Sequence, residues 1–158
     1  MLRSCAFEAL SLVLRWPVSD TQGTSSPKCI SINICDYVIE DARTRNKSLI
    51  GLFNQISAFE FPARHPRFVF VASLVDGRGQ TPLIVEIGPE EGPPSVRVEG
   101  GVEWSNPLAV VDLVFDINGI VFTAPGPHFA RICTPDGAIL GERRFLVNLI
   151  PPPQAGRE

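Results

Sequence analysis

Two histidines and four cysteines are the residues of this 158-residue chain best suited to nucleophilic or metal chemistry. A thiol or hydroxyl nucleophile needs a base within hydrogen-bond reach and a group that orients the base. His65 sits in Arg64-His65-Pro66, which reads as a surface loop, and nothing in its spacing brings it to Cys35 or to a serine. His128 opens a predicted strand, where a structural role is expected. Cys5, Cys29, Cys35 and Cys133 contain no C-x-x-C pair, so a tetrahedral metal site would have to recruit ligands from unrelated loops. Cys29 and Cys35 are six residues apart on one predicted strand, which puts them on the same face about 20 Å from each other, too far to bridge. The expectation is reduced thiols serving as small apolar residues, no metal or cofactor, and a cytoplasmic compartment.

The acidic residues make no calcium loop. Asp36 and Asp41 flank one turn, Asp76 and Asp136 fall in tight turns, Asp112 and Asp116 are four apart, and no Asp-x-Asp repeat gathers six to eight oxygens. Gly77-Arg78-Gly79 has the first spacing of a dinucleotide fingerprint, but a strand follows where a helix N-terminus is required. Trp16, Tyr37 and Trp104 are too few and too dispersed for a sugar-stacking platform. Asp36 and Tyr37 stand beside the polar turn Glu40–Ser48. That end of the molecule, with Asp36, Tyr37, Asp41, Arg43 and His65, is the best candidate interaction surface.

Charge narrows the partners. With a net charge of −3, and a densest basic stretch of only Arg43, Arg45 and Lys47 beside Glu40 and Asp41, no broad face attracts nucleic acid. No apolar run approaches the roughly 18–20 residues that span a bilayer. At the N-terminus, Phe7–Leu14 is broken by Glu8, ended by Arg15 and followed by no small-residue cleavage site, so it does not read as a signal peptide. Thr21–Pro27 has linker composition. Residues 1–28 are expected to be an extension, with the folded unit starting near Cys29.

The elements that must position these residues are strands. The 15 prolines and 13 glycines imply many turns between short elements and disfavour a helical bundle. From Ile30 to Ile39 apolar and polar residues alternate with period two. A second strand is expected over Leu49–Phe61, with a bulge at Gly51 and an end at Pro62. Arg67–Val75 and Thr81–Ile87 flank Asp76-Gly77, a hairpin signal. Val96–Trp104 alternates more weakly across Gly100-Gly101. Leu108–Ile117 allows a helix with Pro107 at its first position, but its β-branched content favours a strand ending at an Asn118-Gly119 turn. His128–Cys133 and Arg144–Ile150 flank Asp136-Gly137, a second hairpin signal, and Pro151-Pro152-Pro153 stops the last strand before a disordered tail at 151–158. Seven to nine short strands over 29–150 predict an antiparallel β-sandwich, with a small β-barrel as the alternative.

Two stretches add a resemblance. Gly126-Pro127-His128-Phe129-Ala130-Arg131-Ile132, the Asp136-Gly137 turn and Phe145-Leu146-Val147 resemble the closing hairpin of immunoglobulin-like bacterial modules, with His128 where those modules carry a corner tyrosine. Cys35-Asp36-Tyr37-Val38-Ile39-Glu40-Asp41, Lys47-Ser48-Leu49-Ile50-Gly51-Leu52-Phe53 and Phe61-Pro62 resemble the opening of a family of small uncharacterised bacterial proteins catalogued as a domain of unknown function. The resemblance spans roughly residues 33–150. It implies a single immunoglobulin-like sandwich and supplies no activity and no site residues. The function expected is a non-enzymatic module that binds another protein through a sheet edge or loops. The alternatives are a small hydrolase using Cys35 or His65, and a carbohydrate-binding module.

Overall fold

Strict alternation builds both sheets of this protein, whose computed structural model describes residues 26–152. Residues 1–25, with Cys5 and Trp16, and residues 153–158 lie outside the described residues, as do the expectations of an N-terminal extension and a disordered tail that fall on them. In chain order the strands are β1 (Lys28–Glu40), β2 (Lys47–Leu52), β3 (Gln55–Ala58), β4 (Ala63–Val75), β5 (Gly79–Pro89), β6 (Val96–Trp104), β7 (Val111–Phe122), β8 (Gly126–Cys133) and β9 (Ile139–Leu149). They form a four-stranded sheet, β2-β1-β4-β7, and a five-stranded sheet, β3-β9-β8-β5-β6. Two facing sheets settle the choice between sandwich and barrel.

Strand β4 is central to the packing. Phe68, Phe70, Ala72 and Leu74 point one way and are fully buried against Val85, Ile87, Ile132 and Val147 of the other sheet. Rings meet across the gap, with Phe68 and Phe145 5.5 Å apart. Each such side chain removed from water contributes about 2–3 kcal/mol, so this layer needs no metal or disulfide to hold it. Val69 and Val71 point the other way and are buried too, with Cys35. A strand buried on both faces reads as the continuous apolar run Phe68–Ala72.

The pairings place each strand. β4 lies between β1 and β7, β5 between β6 and β8, and β8 beside β9. These are the B–E, C–F and F–G neighbours of an immunoglobulin-like sandwich, with β6 widening the second sheet as in variable-type domains. All these pairs are antiparallel. The exception is β3, which runs parallel to β9, with Gln55 opposite Leu146.

Several expectations are corrected. The expected strand 49–61 is two strands in different sheets: β2 pairs with β1 and β3 with β9, and the joint is fixed where the Phe53 amide donates to Ile34. Asp76-Gly77 is no hairpin. Both flanks of β4 and both of β5 are already occupied, so this link carries the chain from one sheet to the other. The expected turn at Asn118-Gly119 is strand, because β4 pairs straight past it, with Arg67 opposite Asn118 and His65 opposite Ile120. Cys29 and Cys35 face opposite ways rather than the same way. A register shift between Cys29 and Ser31 flips the alternation, which turns Cys29 toward the main core and leaves Cys35 beneath Val38 and Leu49. Asp136-Gly137 does form the expected hairpin, closed by Thr134 and Ala138.

Candidate functional site

The β1–β2 ribbon carries four of the five residues singled out in the sequence. Its turn is built by Asp41, whose Oδ1 accepts the amides of Arg43 (2.9 Å) and Thr44 (2.8 Å), while its carbonyl accepts the amide of Arg45 (2.8 Å). The Thr44 and Arg43 amides hold the Asp41 carboxyl below its ordinary range. Asp41 is thus a turn lock rather than a free recognition group. Arg43 stands exposed at the tip, and Glu40 is flanked by Arg45 at 2.8 Å and Lys47 at 3.8 Å.

Asp36 lies where the ribbon leaves the sheet. It packs over Gly51, whose φ of +69° suits glycine and where a Cβ would lie 2.2 Å from Asp36 Oδ2. Tyr37 is exposed, with the Arg67 guanidinium 4.5 Å above its ring. Arg67 also donates from Nε to Asp116 at 3.0 Å. His65 is not in a loop. It belongs to β4, half-buried edge-on to Phe53 (5.6 Å) and Phe68 (6.4 Å), and its Nε2 is buried without a hydrogen-bond partner. Burial lowers its pKa, against the opposing charge of Asp36. The structure therefore brings Asp36, Tyr37, Asp41 and Arg43 onto one ribbon and turns His65 into an aromatic cluster beside it.

The ribbon is apolar on two sides. Val38 and Leu49, directly paired, pack down on Cys35, Val69 and Val71, and Lys47 reaches across to Asp112 of β7 at 3.8 Å. The distal half of the ribbon therefore curls over the outer face of its own sheet. On the other side Tyr37 is paired with Ile50, and they are 50% and 45% exposed. Ile39, at 56%, extends the patch along β1, and Leu52, at 57%, is exposed at the base of the ribbon where it pairs with Cys35. Sequence reasoning missed Ile39, Ile50 and Leu52. The signal was available in the adjacent apolar pairs Val38-Ile39 and Leu49-Ile50, which give a two-stranded ribbon more apolar residues than one covered face can bury.

A second cluster, also missed, lies on the outer face of the five-stranded sheet. Register sets Arg97, Glu86 and Arg131 side by side on β6, β5 and β8. Glu86 is nearly buried, receives Nε and Nη2 of Arg131 at 2.9 and 2.7 Å on one oxygen, and binds Arg97 with the other. Burial would raise its pKa, but the hydrogen bonds and charges of Arg131 and Arg97 outweigh it and hold the carboxyl low. The trio borders a hollow of about 200 Å³ whose wall includes Cys133. Both arginines are occupied by the carboxylate, so the arrangement locks three strands together.

The remaining candidates are absorbed by structure. Burial pushes the Cys35 thiol up, and its Sγ donates to the Tyr37 carbonyl. Trp104 is buried against Gly77, where a Cβ would fall 1.9 Å from the indole, and its N–H donates to Thr81 at 3.1 Å. It offers no stacking surface. His128 Nδ1 donates to the Gly126 carbonyl at 3.0 Å, and its ring packs on Phe122 and Phe145, so an imidazole holds the corner position. Among the described residues, no three His, Cys, Asp or Glu side chains are arranged to hold a metal, and no helix is long and apolar enough to cross a membrane.

Comparison with known proteins adds family and no activity. A model described as a family of unknown function (DUF6941) matches residues 30–148. No curated protein matches the sequence. Among solved structures, a crystal structure of an immunoglobulin-like protein from Pseudomonas aeruginosa is similar at 16% identity, covering 78% of this chain and 98% of that one, with a TM-score of 0.42.

Proposed function

The chain belongs to the DUF6941 family of unknown function, and on that premise we propose that it is a non-enzymatic module that docks another protein on the apolar face of the β1–β2 ribbon. The observation that carries this reading is the exposed set Tyr37, Ile39 and Ile50 on one face of a ribbon whose other face, through the half-buried Val38 and Leu49, is already packed on its own sheet. Contiguous exposed apolar side chains rimmed by charge mark docking surfaces, and here Arg43, Arg45, Glu40 and Asp41 form the rim. Arg67 over Tyr37 supplies an aromatic–arginine pair of the kind enriched at binding hot spots. The same reading puts the protein in a reducing, cytoplasmic setting, supported by the free thiols Cys29, Cys35 and Cys133.

The test is affinity capture from the native host with the full chain and with Ile50→Lys, a change at an exposed site that leaves the melting temperature within a degree or two. The expected result is one stoichiometric protein partner retained by the wild type and lost by the variant. Capture of no such partner, or equal capture by Ile50→Lys, would overturn the proposal.

A further inference from the structure

The opposite edge of the same sheet is bordered by no described strand. Strand β7 pairs with β4 along its whole length and, among the described residues, has no strand on its far side. In a four-stranded ABED sheet the position beside the E-like strand is filled by D, and here it is not. Twelve residues of edge, about 40 Å long, are left with one side of the backbone unpaired by any strand.

Burial shows where the gap lies. Leu74, Ala72, Phe70 and Phe68 of β4 are fully buried, while the residues paired with them on β7, Val111, Leu113, Phe115 and Ile117, are only half-buried. Contacts between β1 and β9 close one flank of the sandwich, which leaves β7 and β6 as the edges of the other. On β6, Val96 and Val98 are half-buried as well. An added strand would cover both rows.

We propose that β7 is a second docking site, which takes an extended segment of a partner protein as an added strand, apolar toward the core and basic on its outward side. Charge selects that partner. Asp112 and Asp116 stand on the outward face of β7; Asp112 accepts from Ser73 (2.7 Å) and has Lys47 3.8 Å away, Asp116 is held by Arg67 (3.0 Å), and their side chains remain 38% and 41% exposed to a further cation. Lysine or arginine directly across from them on an added strand completes two cross-strand ion pairs. A second copy of this chain brings no basic residue on β7 to these carboxylates, since the outward positions of the strand are Asp112, Val114, Asp116 and Asn118. Antiparallel pairing of two β7 strands centred on Val114 sets Asp112 of each copy opposite Asp116 of the other, a like-charge contact that edge strands use to repel self-pairing.

The probes are synthetic peptides long enough to span β7, added to the full chain: alternating valine and lysine, alternating valine and glutamate, and alternating glycine and lysine. Fluorescence anisotropy is expected to give the valine–lysine peptide an affinity about tenfold above either control. Amide resonances that shift on binding should follow β7, and D112N/D116N should erase the preference for lysine over glutamate. Because that variant also loses its bonds to Arg67 and Ser73 and the ion pair to Lys47, the resonance map of the wild type stands as an independent measurement. Equal binding of the lysine and glutamate peptides, or shifts confined to the β1–β2 ribbon, would overturn the proposal. So would protection from hydrogen exchange, in the peptide-free monomer, of those β7 amides that point away from β4, which would mean that a segment outside the described residues already holds the edge. A dimer by sedimentation with the same amides protected would assign the edge to a second copy and overturn it too. The ribbon reading fails or stands separately, since none of these probes needs Tyr37 or Ile50.

Discussion

Two titratable residues, one nearly buried and one half-buried, tie the stability to pH. Glu86 keeps a nearly buried carboxylate charged only because Arg131 and Arg97 face it. Arg131→Met strips its better partner and should cost about 2 kcal/mol at pH 7 in chemical denaturation. The folded-state pKa of Glu86 lies below its ordinary value, so this contribution is present above that value and lost as pH falls through the folded pKa. The gap between wild type and variant should therefore close as pH drops below about 4. His65 acts in a higher window. Its folded pKa is depressed by burial among Phe53 and Phe68, so the unfolded chain takes up a proton first as pH falls through about 6.5. Stability should decline from pH 7 toward 5. His65→Phe, which fits the same aromatic cluster, should flatten that decline in melting curves recorded across the range.

The ribbon behaves as an element with its own small core. Val38 and Leu49 are its only apolar contacts with the buried trio of Cys35, Val69 and Val71 among the described residues, and Lys47 adds a partly exposed ion pair to Asp112 worth a few tenths of a kcal/mol. Leu49→Ala, at a half-buried site, should cost about 1–2 kcal/mol. It should also raise hydrogen exchange in β1 beyond Cys35 and throughout β2 while β4, β5 and β8 stay protected. Uniform loss of protection across both sheets would show that the ribbon is not a separate cooperative unit. The sequence made the strands of this ribbon legible, since period-two alternation is local. It left their split from β3 hidden, because Gly51 and Phe53 gain their roles from Asp36 and Ile34, which lie more than a dozen residues earlier.

At the scale of the molecule, two sheets of ordinary composition close over a core rich in phenylalanine without any covalent or metal staple in the described residues. Stability should be indifferent to reductant, with the same melting temperature in the presence and absence of dithiothreitol, because Cys29 and Cys35 face different clusters and Cys133 lies in the other sheet. A drop on reduction would mean that one of these thiols is bridged. Both proposed docking surfaces belong to the four-stranded sheet, the ribbon at one end of its strand order and β7 at the other. Lys47 and Asp112 span the sheet between them.

Local pattern was enough for most of the strands, for the hairpin at Asp136-Gly137 and for the sandwich class, because alternation and turn chemistry are set by residues adjacent in the chain; the split of 49–61, the start of β4 at Ala63 and the run of β7 through Asn118-Gly119 were not legible this way. Asp36, Tyr37, Asp41 and Arg43 were legible as neighbours on one ribbon for the same reason: a single hairpin holds them. What adjacency could not supply was the identity of each strand's neighbours. Asp76-Gly77 has hairpin chemistry, yet β4 and β5 find better partners at long range, and the turn becomes a crossing between sheets. Only the folded molecule sets Arg97 and Arg131 on either side of Glu86, half-buries His65 in an aromatic cluster and leaves β7, among the described residues, with no strand on the side away from β4. Those outcomes depend on which faces and edges remain uncovered once every strand has been placed, and that is a property of the packed whole rather than of any segment.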